Sequence, residues 1–332
     1  MAQRTAGSHA FMTDEQSKES PSPARRRIGF IGLGRMGSAM AANLVADGYH
    51  VIAYLRRPRT PAEIAETGVE PVGEIADLSD CSIVISMVPD DTAAREVVLG
   101  TEANLGRDGL AAALAAGAIH LSMSTISPAA SAELALTHRN NGQGYVAAPV
   151  FGNPDAARAR QLFIIAAGSD GDIERCRPIL SALGQKTFMI GPNPMAANLV
   201  KLAGNLLTAA TLEMLGEVFA LVRKGGIAPG DFLDILTSTL HDSRVDKIYG
   251  GKMVAQQHAP GFALRLALKD VDLALAEAEA SGVPMPVGNM VRDRIIAAKA
   301  RGYDGFDWSV LGLVAALEAG LTPDSTKQGE SP

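Results

Sequence analysis

The sequence has few cysteines, and its histidines form no pattern that would bind a metal. Its two cysteines, Cys81 and Cys176, lie far apart and give no disulfide framework. The six histidines are scattered, with no H-x-x-x-H pair and no Cys/His cluster. A G-x-S-x-G nucleophile elbow and a P-loop are also missing. We therefore expect no metal site, no serine-hydrolase or P-loop chemistry, and a cytoplasmic location.

Long apolar runs and excess positive charge are lacking as well. The formal net charge is −6, which disfavours a general nucleic-acid binder. No uninterrupted run reaches the roughly 18 apolar residues of a membrane span. Residues 1–24 lack the apolar core of a signal peptide, and their Ser, Pro and charge content predicts a disordered tail. We expect neither a nucleic acid nor a membrane as a partner.

Length and pattern predict two domains, because 332 residues exceed the size at which one core usually stops growing. Apolar strands alternate with helices over residues 25–191, which predicts a Rossmann-type, doubly wound and mostly parallel sheet. Its last strands are predicted at "GYVAAPV", "LFIIAAG" and "KTFMIG". Residues 192–320 are predicted to form an all-α domain that begins with a long interdomain helix. Residues 321–332 are predicted to be a flexible tail.

A glycine-rich turn follows the first strand of this pattern. Gly32, Gly34 and Gly37 form G-x-G-x-x-G at the start of a helix, as a dinucleotide-binding turn requires. The first glycine permits the turn, the second lets the backbone approach a pyrophosphate, and the third lets helix and strand pack. The helix N-terminus would stabilise the anion. The alternative is an ordinary tight turn without a ligand.

The end of the second strand distinguishes between nicotinamide cofactors. NAD-binding units usually place Asp or Glu there to hold the ribose hydroxyls. This chain has "AYLRRPRT", with Arg56, Arg57 and Arg59 and no acid. Guanidinium groups bind a 2′-phosphate well, so the sequence predicts NADPH rather than NADH. The alternative is a basic, solvated loop.

One narrow polar stripe follows the long apolar helix. Asn198, Lys201, Asn205 and Thr208 fall within about 80° of arc. A solvated helix face is one interpretation, although such faces usually carry several charged residues. From Met195 to Leu212 the only ionisable side chain is Lys201, which favours the wall of a cavity.

Taken together, these motifs resemble the β-hydroxyacid dehydrogenases, which include 3-hydroxyisobutyrate dehydrogenases and glyoxylate/succinic semialdehyde reductases. The likeness covers about residues 27–318. "GFIGLGRMGSAMAANL" resembles the family's N-terminal signature, and "SMVPDDTAAREV" its loop beneath the cofactor. "SMSTISPAAS" is similar to its substrate segment, "KLAGN" to its K-x-x-x-N catalytic helix, and "LKDVDLAL" to a segment that faces the cofactor.

The resemblance implies a role for each matching position. Lys201 would be the general acid/base, with Asn205 one turn further on to hold the substrate oxygen and aim the lysine. Ser124 and Thr125 would receive a substrate carboxylate, while Ser127 would cap the next helix before Pro128. The implied cofactor contacts, besides the glycines and arginines above, are Arg35, Met36, Met87, Val88, Pro89, Thr125 and Lys269.

One segment departs from the family pattern. The family usually reads A-P-V-S-G-G-x-x-G-A, where this chain has "APVFGNPDAA". Phe151 replaces the serine and Asn153 replaces the second glycine, leaving Gly152 between them. In the family, the serine and glycine help to bind the substrate carboxylate. We therefore expect Phe151, Gly152 and Asn153 at the substrate, and a carbonyl compound other than the usual hydroxyacids becomes credible.

The expected activity is NADPH-dependent reduction of a small carboxylate-bearing aldehyde or ketone. The alternatives are an imine reductase, which typically lacks the helix lysine, and a phosphonate-ketone reductase. Decarboxylating 6-phosphogluconate dehydrogenases are related but usually have a longer C-terminal domain. A non-catalytic NADPH-binding scaffold is a further alternative, which retention of Lys201 and Asn205 disfavours. By resemblance, the helical domains would assemble into a homodimer or homotetramer.

Overall fold

A computed structural model describes residues 27–57, 59–101 and 108–322 of the protein. The predicted tail at 1–24 and nearly all of the one at 321–332 lie outside these residues. The main sheet contains six strands: β1 (Arg27–Ile31), β2 (His50–Tyr54), β3 (Glu70–Val72), β4 (Ile83–Ser86), β5 (Ile119–Ser122) and β6 (Gly144–Ala147). The helices that connect and cover them are α1 (Arg35–Ala46), α2 (Pro61–Thr67), α3 (Asp91–Leu99), α4 (Leu110–Ala113) and α5 (Pro128–Asn140).

The six strands are all parallel and lie in the order β3-β2-β1-β4-β5-β6. Helices pack on both faces of the sheet, and each face has one apolar core cluster. The strand order reverses between β1 and β4, where open α/β sheets place their ligand crevice. The predicted Rossmann-type architecture is therefore confirmed, with the carboxyl ends of β1, β4 and β5 beside this crevice.

A second, three-stranded sheet completes the first half of the chain. It contains β7 (Val150–Phe151), β8 (Leu162–Ala166) and β9 (Gly184–Met189), with α6 (Pro154–Arg158) and α7 (Asp170–Leu183) between them. The predicted strand "GYVAAPV" supplies β6 of the main sheet, but the prediction that "LFIIAAG" and "KTFMIG" continue that sheet was wrong. The segment "GYVAAPV" belongs to the main sheet as far as Ala147, where β6 forms the edge of that sheet. β7 then pairs antiparallel with β8.

The second half of the chain is helical, as predicted. Its elements are α8 (Pro194–Lys224), α9 (Pro229–Thr237), a π-helical turn (Asp246–Gly250), α10 (Gly251–Ala255), α11 (Leu264–Ala280), α12 (Pro286–Ala300) and α13 (Leu311–Glu318). The long helix α8 begins where the Asn193 side chain accepts from the backbone N–H of Met195. Arg223 and Lys224 form its basic last turn before Gly225.

By length and composition alone, α8 is apolar enough to cross a membrane, although polar residues interrupt its apolar sequence. Half of its most apolar 18-residue window is buried inside the protein. There the helix packs against α5, α11 and α13. Leu202, Leu206, Ala209 and Leu212 of α8 belong to the apolar core of the helical half. The absence of a membrane partner stays a prediction.

Candidate active site

The glycine turn has the close packing that its motif predicts. Gly32 has φ of +97°, and a Cβ on this residue would lie 2.3 Å from the carbonyl oxygen of Met87. A Cβ on Gly37 would lie 2.0 Å from the carbonyl oxygen of Gly32. At Gly34, by contrast, no atom lies within 4 Å of where a Cβ would be. No side chain caps α1, so its first N–H groups have no side-chain acceptor and can donate to a bound anion. The turn thus fits the pyrophosphate of a dinucleotide.

The three predicted phosphate-binding arginines follow β2 but differ in their surroundings. The Arg59 guanidinium donates to the carbonyl oxygen of Leu33 and lies 3.3 Å from the Ser38 hydroxyl, so it contacts the glycine turn itself. Arg56 is exposed and lies 3.3 Å from Glu96. Arg57 is exposed and forms no ion pair within the described part of the chain. The structure therefore brings one guanidinium against the turn and leaves two on the adjoining surface.

The loops after β4 and β5 are tied together beneath the crevice. Met87 and Val88 are half-buried, and the Val88 N–H donates to the Ser124 hydroxyl at 2.8 Å. Ser124 is fully buried and approaches the carbonyl oxygen of Ser86 at 3.5 Å. Its hydroxyl therefore links two loops of the nucleotide-binding half. Substrate contacts by Ser124, and cofactor contacts by the loop that includes Pro89, stay predictions.

In the polar stripe of α8, Asn198, Lys201 and Asn205 are buried and Thr208 is half-buried, so the interpretation of a solvated face was wrong. Lys201 is 7% exposed, and its Nζ donates to Asn205 Oδ1 at 2.8 Å. Asn205 Nδ2 in turn donates to Asp270 Oδ2 at 2.5 Å. The ammonium is a donor only and the carboxylate an acceptor only, so both neighbours fix the orientation of the Asn205 amide. Lys201, Asn205 and Asp270 are therefore joined by two consecutive hydrogen bonds.

The pKa of Lys201 is lowered from 10.5 to about 8. Burial is the main cause, because an ammonium loses hydration inside the protein. The Asp270 carboxylate acts in the opposite direction and raises this pKa, while the neighbouring Lys269 ammonium lowers it. The result is an amine that changes protonation near neutral pH, as a general acid/base requires.

Two basic side chains connect the helical half to the nucleotide-binding half. Lys269 Nζ donates to the carbonyl oxygen of Thr125 at 2.5 Å and lies 2.9 Å from Asp270 Oδ1. Arg35, in the first turn of α1, donates to the carbonyl oxygen of Pro260. Met36, the next residue of α1, packs against the core of the nucleotide-binding half. The loop after β5 and the start of α1 therefore both meet the helical half.

Phe151, the residue that departs from the family pattern, lies directly beside the lysine. Lys201 Nζ is 4.6 Å from the centre of the Phe151 ring. Gly204 makes room for this ring, because a Cβ there would lie 2.4 Å from Phe151 Cζ. Gly152 has φ of +143°, and Asn153 caps α6 by accepting from the N–H of Ala156 at 2.9 Å. Asn153 thus has a structural role, while Phe151 forms a wall of the site.

The sequence prediction missed Asp270 as a member of this site. It was part of the segment "LKDVDLAL", from which only Lys269 was selected. Asp270 is 1% exposed, and its partner Asn205 lies 65 residues earlier in the chain. A carboxylate inside an otherwise apolar helix face was the available signal, since a buried charge needs a partner.

A dinucleotide turn at the switch point of a parallel sheet, in a chain with a buried lysine where the helical half meets the nucleotide-binding half, is typical of an NAD(P)-dependent oxidoreductase. Comparison with known families agrees. Residues 27–191 match the NAD-binding domain of 6-phosphogluconate dehydrogenase, and residues 196–314 match the NAD-binding domain of NADP-dependent 3-hydroxyisobutyrate dehydrogenase. The chain belongs to the β-hydroxyacid dehydrogenase family.

Similar proteins cover nearly the same length. An uncharacterised oxidoreductase of Bacillus subtilis is 36% identical over 288 residues, which are 86% of this chain and 98% of the relative. The 2-hydroxy-3-oxopropionate reductase of Escherichia coli is 30% identical over 294 residues, covering 88% and 97%. The crystal structure of 3-hydroxyisobutyrate dehydrogenase from Salmonella typhimurium shares the fold, with a TM-score of 0.76 at 23% identity, covering 87% and 99%.

Proposed function

We propose that the protein is an NADPH-dependent reductase of small aldehydes or ketones that carry a carboxylate, with Lys201 as the general acid. The observation that supports this most strongly is the buried hydrogen-bond network that joins Lys201 to Asn205 and Asn205 to Asp270. An ordinary structural lysine is rarely buried, because its charge loses hydration. Here the lysine keeps a pKa of about 8 at the junction of the two halves.

Side chains of the protein supply and position the proton that accompanies hydride transfer. A bound nicotinamide cofactor supplies the hydride that reduces a carbonyl carbon. The electrons of the C=O π bond then move to oxygen, and Lys201 Nζ gives its proton to that oxygen. Asn205 holds the ammonium in place, and Asp270 fixes the Asn205 amide. The reverse reaction uses the neutral amine as the base.

The preference for NADPH rests on the arginines after β2. Arg59 lies against the glycine turn, and no carboxylate from the end of β2 is present to hold ribose hydroxyls. Arg57 is exposed nearby and is available to a 2′-phosphate. We expect a higher kcat/KM with NADPH than with NADH. Equal values, or a preference for NADH, would refute this assignment.

The site also supports a departure from the usual substrates. The Phe151 ring lies where the family's serine would help to bind a carboxylate, and Gly204 accommodates it. Among the family's relatives, the 2-hydroxy-3-oxopropionate reductase acts on an aldehyde with a carboxylate. We infer that this chain accepts a compound of the same general size, with an apolar face against the ring.

An NADPH-consumption screen tests the proposed function. The panel contains glyoxylate, succinic semialdehyde, 2-hydroxy-3-oxopropionate, a phosphonate ketone and a cyclic imine. We expect turnover of at least one carboxylate-bearing aldehyde. Turnover of the cyclic imine alone would favour imine reduction instead. Tight NADPH binding with no turnover of any compound would favour the non-catalytic scaffold.

A further inference from the structure

Arg56 and Glu96 form an ion pair that the proposed chemistry does not use. Arg56 follows the end of β2 by two residues, and Glu96 lies on α3, the helix that follows β4. The Arg56 guanidinium and the Glu96 carboxylate are 3.3 Å apart, with 66% and 46% of their side chains exposed. Because β2 and β4 pair with opposite edges of β1, this ion pair connects segments on either side of the glycine turn.

Arg56 stands at the position from which this fold usually distinguishes NADPH from NADH. In dinucleotide-binding sheets, the residues after the second strand lie beside the adenosine ribose, whose 2′ position carries a hydroxyl in NADH and a phosphate in NADPH. An arginine there favours the phosphate, because its planar guanidinium combines several N–H donors with a fixed positive charge. We therefore expect the Arg56 side chain to meet the group in which the two cofactors differ.

The Glu96 carboxylate acts on the same group. Two ligands that are hydrogen-bonded to one guanidinium lie within about 8 Å of each other, which is about one Debye length at physiological ionic strength. The negative charge of Glu96 therefore repels a 2′-phosphate bound to Arg56. A ribose hydroxyl carries no charge and donates to carboxylates, so NADH meets no such repulsion.

The neighbouring basic side chain on α3 does not neutralise Glu96. Arg95 donates through Nε to Glu133 of α5 at 2.8 Å. Adjacent residues of a helix also point in different directions. When the Arg56 guanidinium turns to a phosphate, the Glu96 carboxylate loses the partner with which it pairs in the described part of the chain. It stays solvated, so its charge persists beside the phosphate at little cost to the fold.

We propose that Glu96 is a specificity-determining residue whose carboxylate competes with the 2′-phosphate for Arg56 and so reduces the preference for NADPH over NADH. This assignment rests on the proposed binding of NADPH and adds a residue that opposes it. The arginines after β2 favour NADPH, and the carboxylate from α3 limits the size of that preference. The chain accordingly keeps measurable affinity for NADH.

The dissociation constants of NADPH and NADH test this assignment without any substrate. Both are measured by the fluorescence of the bound nicotinamide in the parent, Glu96→Gln, Arg56→Gln and Glu133→Gln. Glutamine keeps the size and helix propensity of glutamate and removes its charge, so Glu96→Gln should fold. Glu133→Gln is the matched control, because Glu133 pairs with an arginine of the same helix α3 and has 43% of its side chain exposed.

Glu96→Gln should bind NADPH about three- to tenfold more tightly than the parent and leave the dissociation constant of NADH within about twofold. Arg56→Gln should weaken the binding of NADPH by about fivefold or more. The control should match the parent with both cofactors. At roughly 1 M salt, where the Debye length is about 3 Å, the gain in Glu96→Gln should fall below about twofold.

Equal changes for both cofactors in Glu96→Gln would show a purely structural ion pair and overturn the assignment. Weaker NADPH binding in this variant would show that Glu96 positions Arg56 for the phosphate, which also overturns it. Unchanged NADPH binding in Arg56→Gln would place the phosphate elsewhere, with the same consequence. A parent that prefers NADH would refute the proposed preference for NADPH alone, since tighter NADPH binding in Glu96→Gln would still support the competition.

Discussion

At the scale of single residues, the Asp270 carboxylate acts on the pKa of Lys201. It raises the pKa of the lysine, against the larger effect of burial. Asp270→Asn removes that charge and keeps an oxygen that accepts from Asn205. We expect the pKa of Lys201 to fall below about 8 in this variant.

The pH profile of reduction measures this shift. Reduction needs the protonated amine, so kcat/KM falls as pH rises through the pKa of Lys201. In Asp270→Asn, the fall should begin at lower pH than in the parent. Asp272→Asn is the control, since Asp272 pairs with Arg292 at the surface of the same helix. Identical midpoints in all three proteins would show that Asp270 does not act on the lysine.

A second prediction at this scale concerns the fit between Phe151 and Gly204. A Cβ at residue 204 would collide with the ring, so Gly204→Ala should destabilise the protein by about 1–3 kcal/mol. Phe151→Ala removes the ring with which that Cβ would collide. The loss of unfolding free energy in the double variant should therefore be smaller, by at least about 1 kcal/mol, than the sum of the losses in the two single variants. Urea unfolding of the four proteins measures this coupling. Additive single effects would mean that the ring does not occupy this place in solution.

At the scale of elements, α8 has an apolar face that the protein does not cover. Leu207, Met214 and Leu221 are 69%, 57% and 70% exposed, and they repeat every seven residues along one side of the helix. Val200, 42% exposed, continues the stripe towards the active site. A contiguous apolar surface of this kind is typical of a subunit interface. We propose that a second copy of the chain covers it.

Sedimentation velocity tests this assembly. The parent should be a dimer or a tetramer, and Leu207→Glu with Leu221→Glu should shift it to a smaller species, because the charges would be buried at the contact. Leu240→Glu is the control, since Leu240 is 94% exposed outside α8. A parent that sediments as a monomer would contradict the proposed interface and leave the fold unaffected.

The helices and strands also show which features could be predicted from the sequence alone. Local rules predicted the glycine turn, the helix α8 and the lysine on it, because each depends on spacing within a short segment. The second sheet was missed because β7 pairs with β8 rather than with a strand of the main sheet, and this pairing partner cannot be read from the local sequence. Asp270 and the Phe151 ring reach Lys201 only through tertiary packing, which no local spacing encodes.

At the scale of the whole molecule, Lys201 lies where the two halves of the chain meet. Lys269 and Arg35 donate across this junction to Thr125 and Pro260. Lys201, Asn205 and Asp270 are buried there, and removal from water strengthens the electrostatic interactions among them. The same burial lowers the pKa of Lys201, so the proposed proton transfer and the stability of the fold depend on the same group.

This link predicts how stability depends on pH. Folding lowers the pKa of Lys201 from 10.5 to about 8, so between these values the unfolded chain binds more protons than the folded one. The free energy of unfolding therefore rises with pH in this window. Relative to Lys201→Met, which lacks this titration, the parent should gain about 3 kcal/mol across it.

Urea unfolding at several pH values, followed by the fluorescence of Trp308, measures the difference between the two proteins. Trp308 is the only tryptophan, and it is buried in the helical half. Comparison with Lys201→Met cancels groups that titrate in both proteins. A difference that stays constant over the window would mean that Lys201 has an ordinary pKa and is exposed to water.

The most direct test of the central claim is the kcat of Lys201→Ala with the best substrate of the screen, measured together with the dissociation constant for NADPH. We predict a loss of about 100-fold to 10,000-fold in kcat, which is typical of a lost general acid. The affinity for NADPH should stay close to that of the parent. A variant with nearly normal kcat would contradict the assignment of Lys201 as the proton donor.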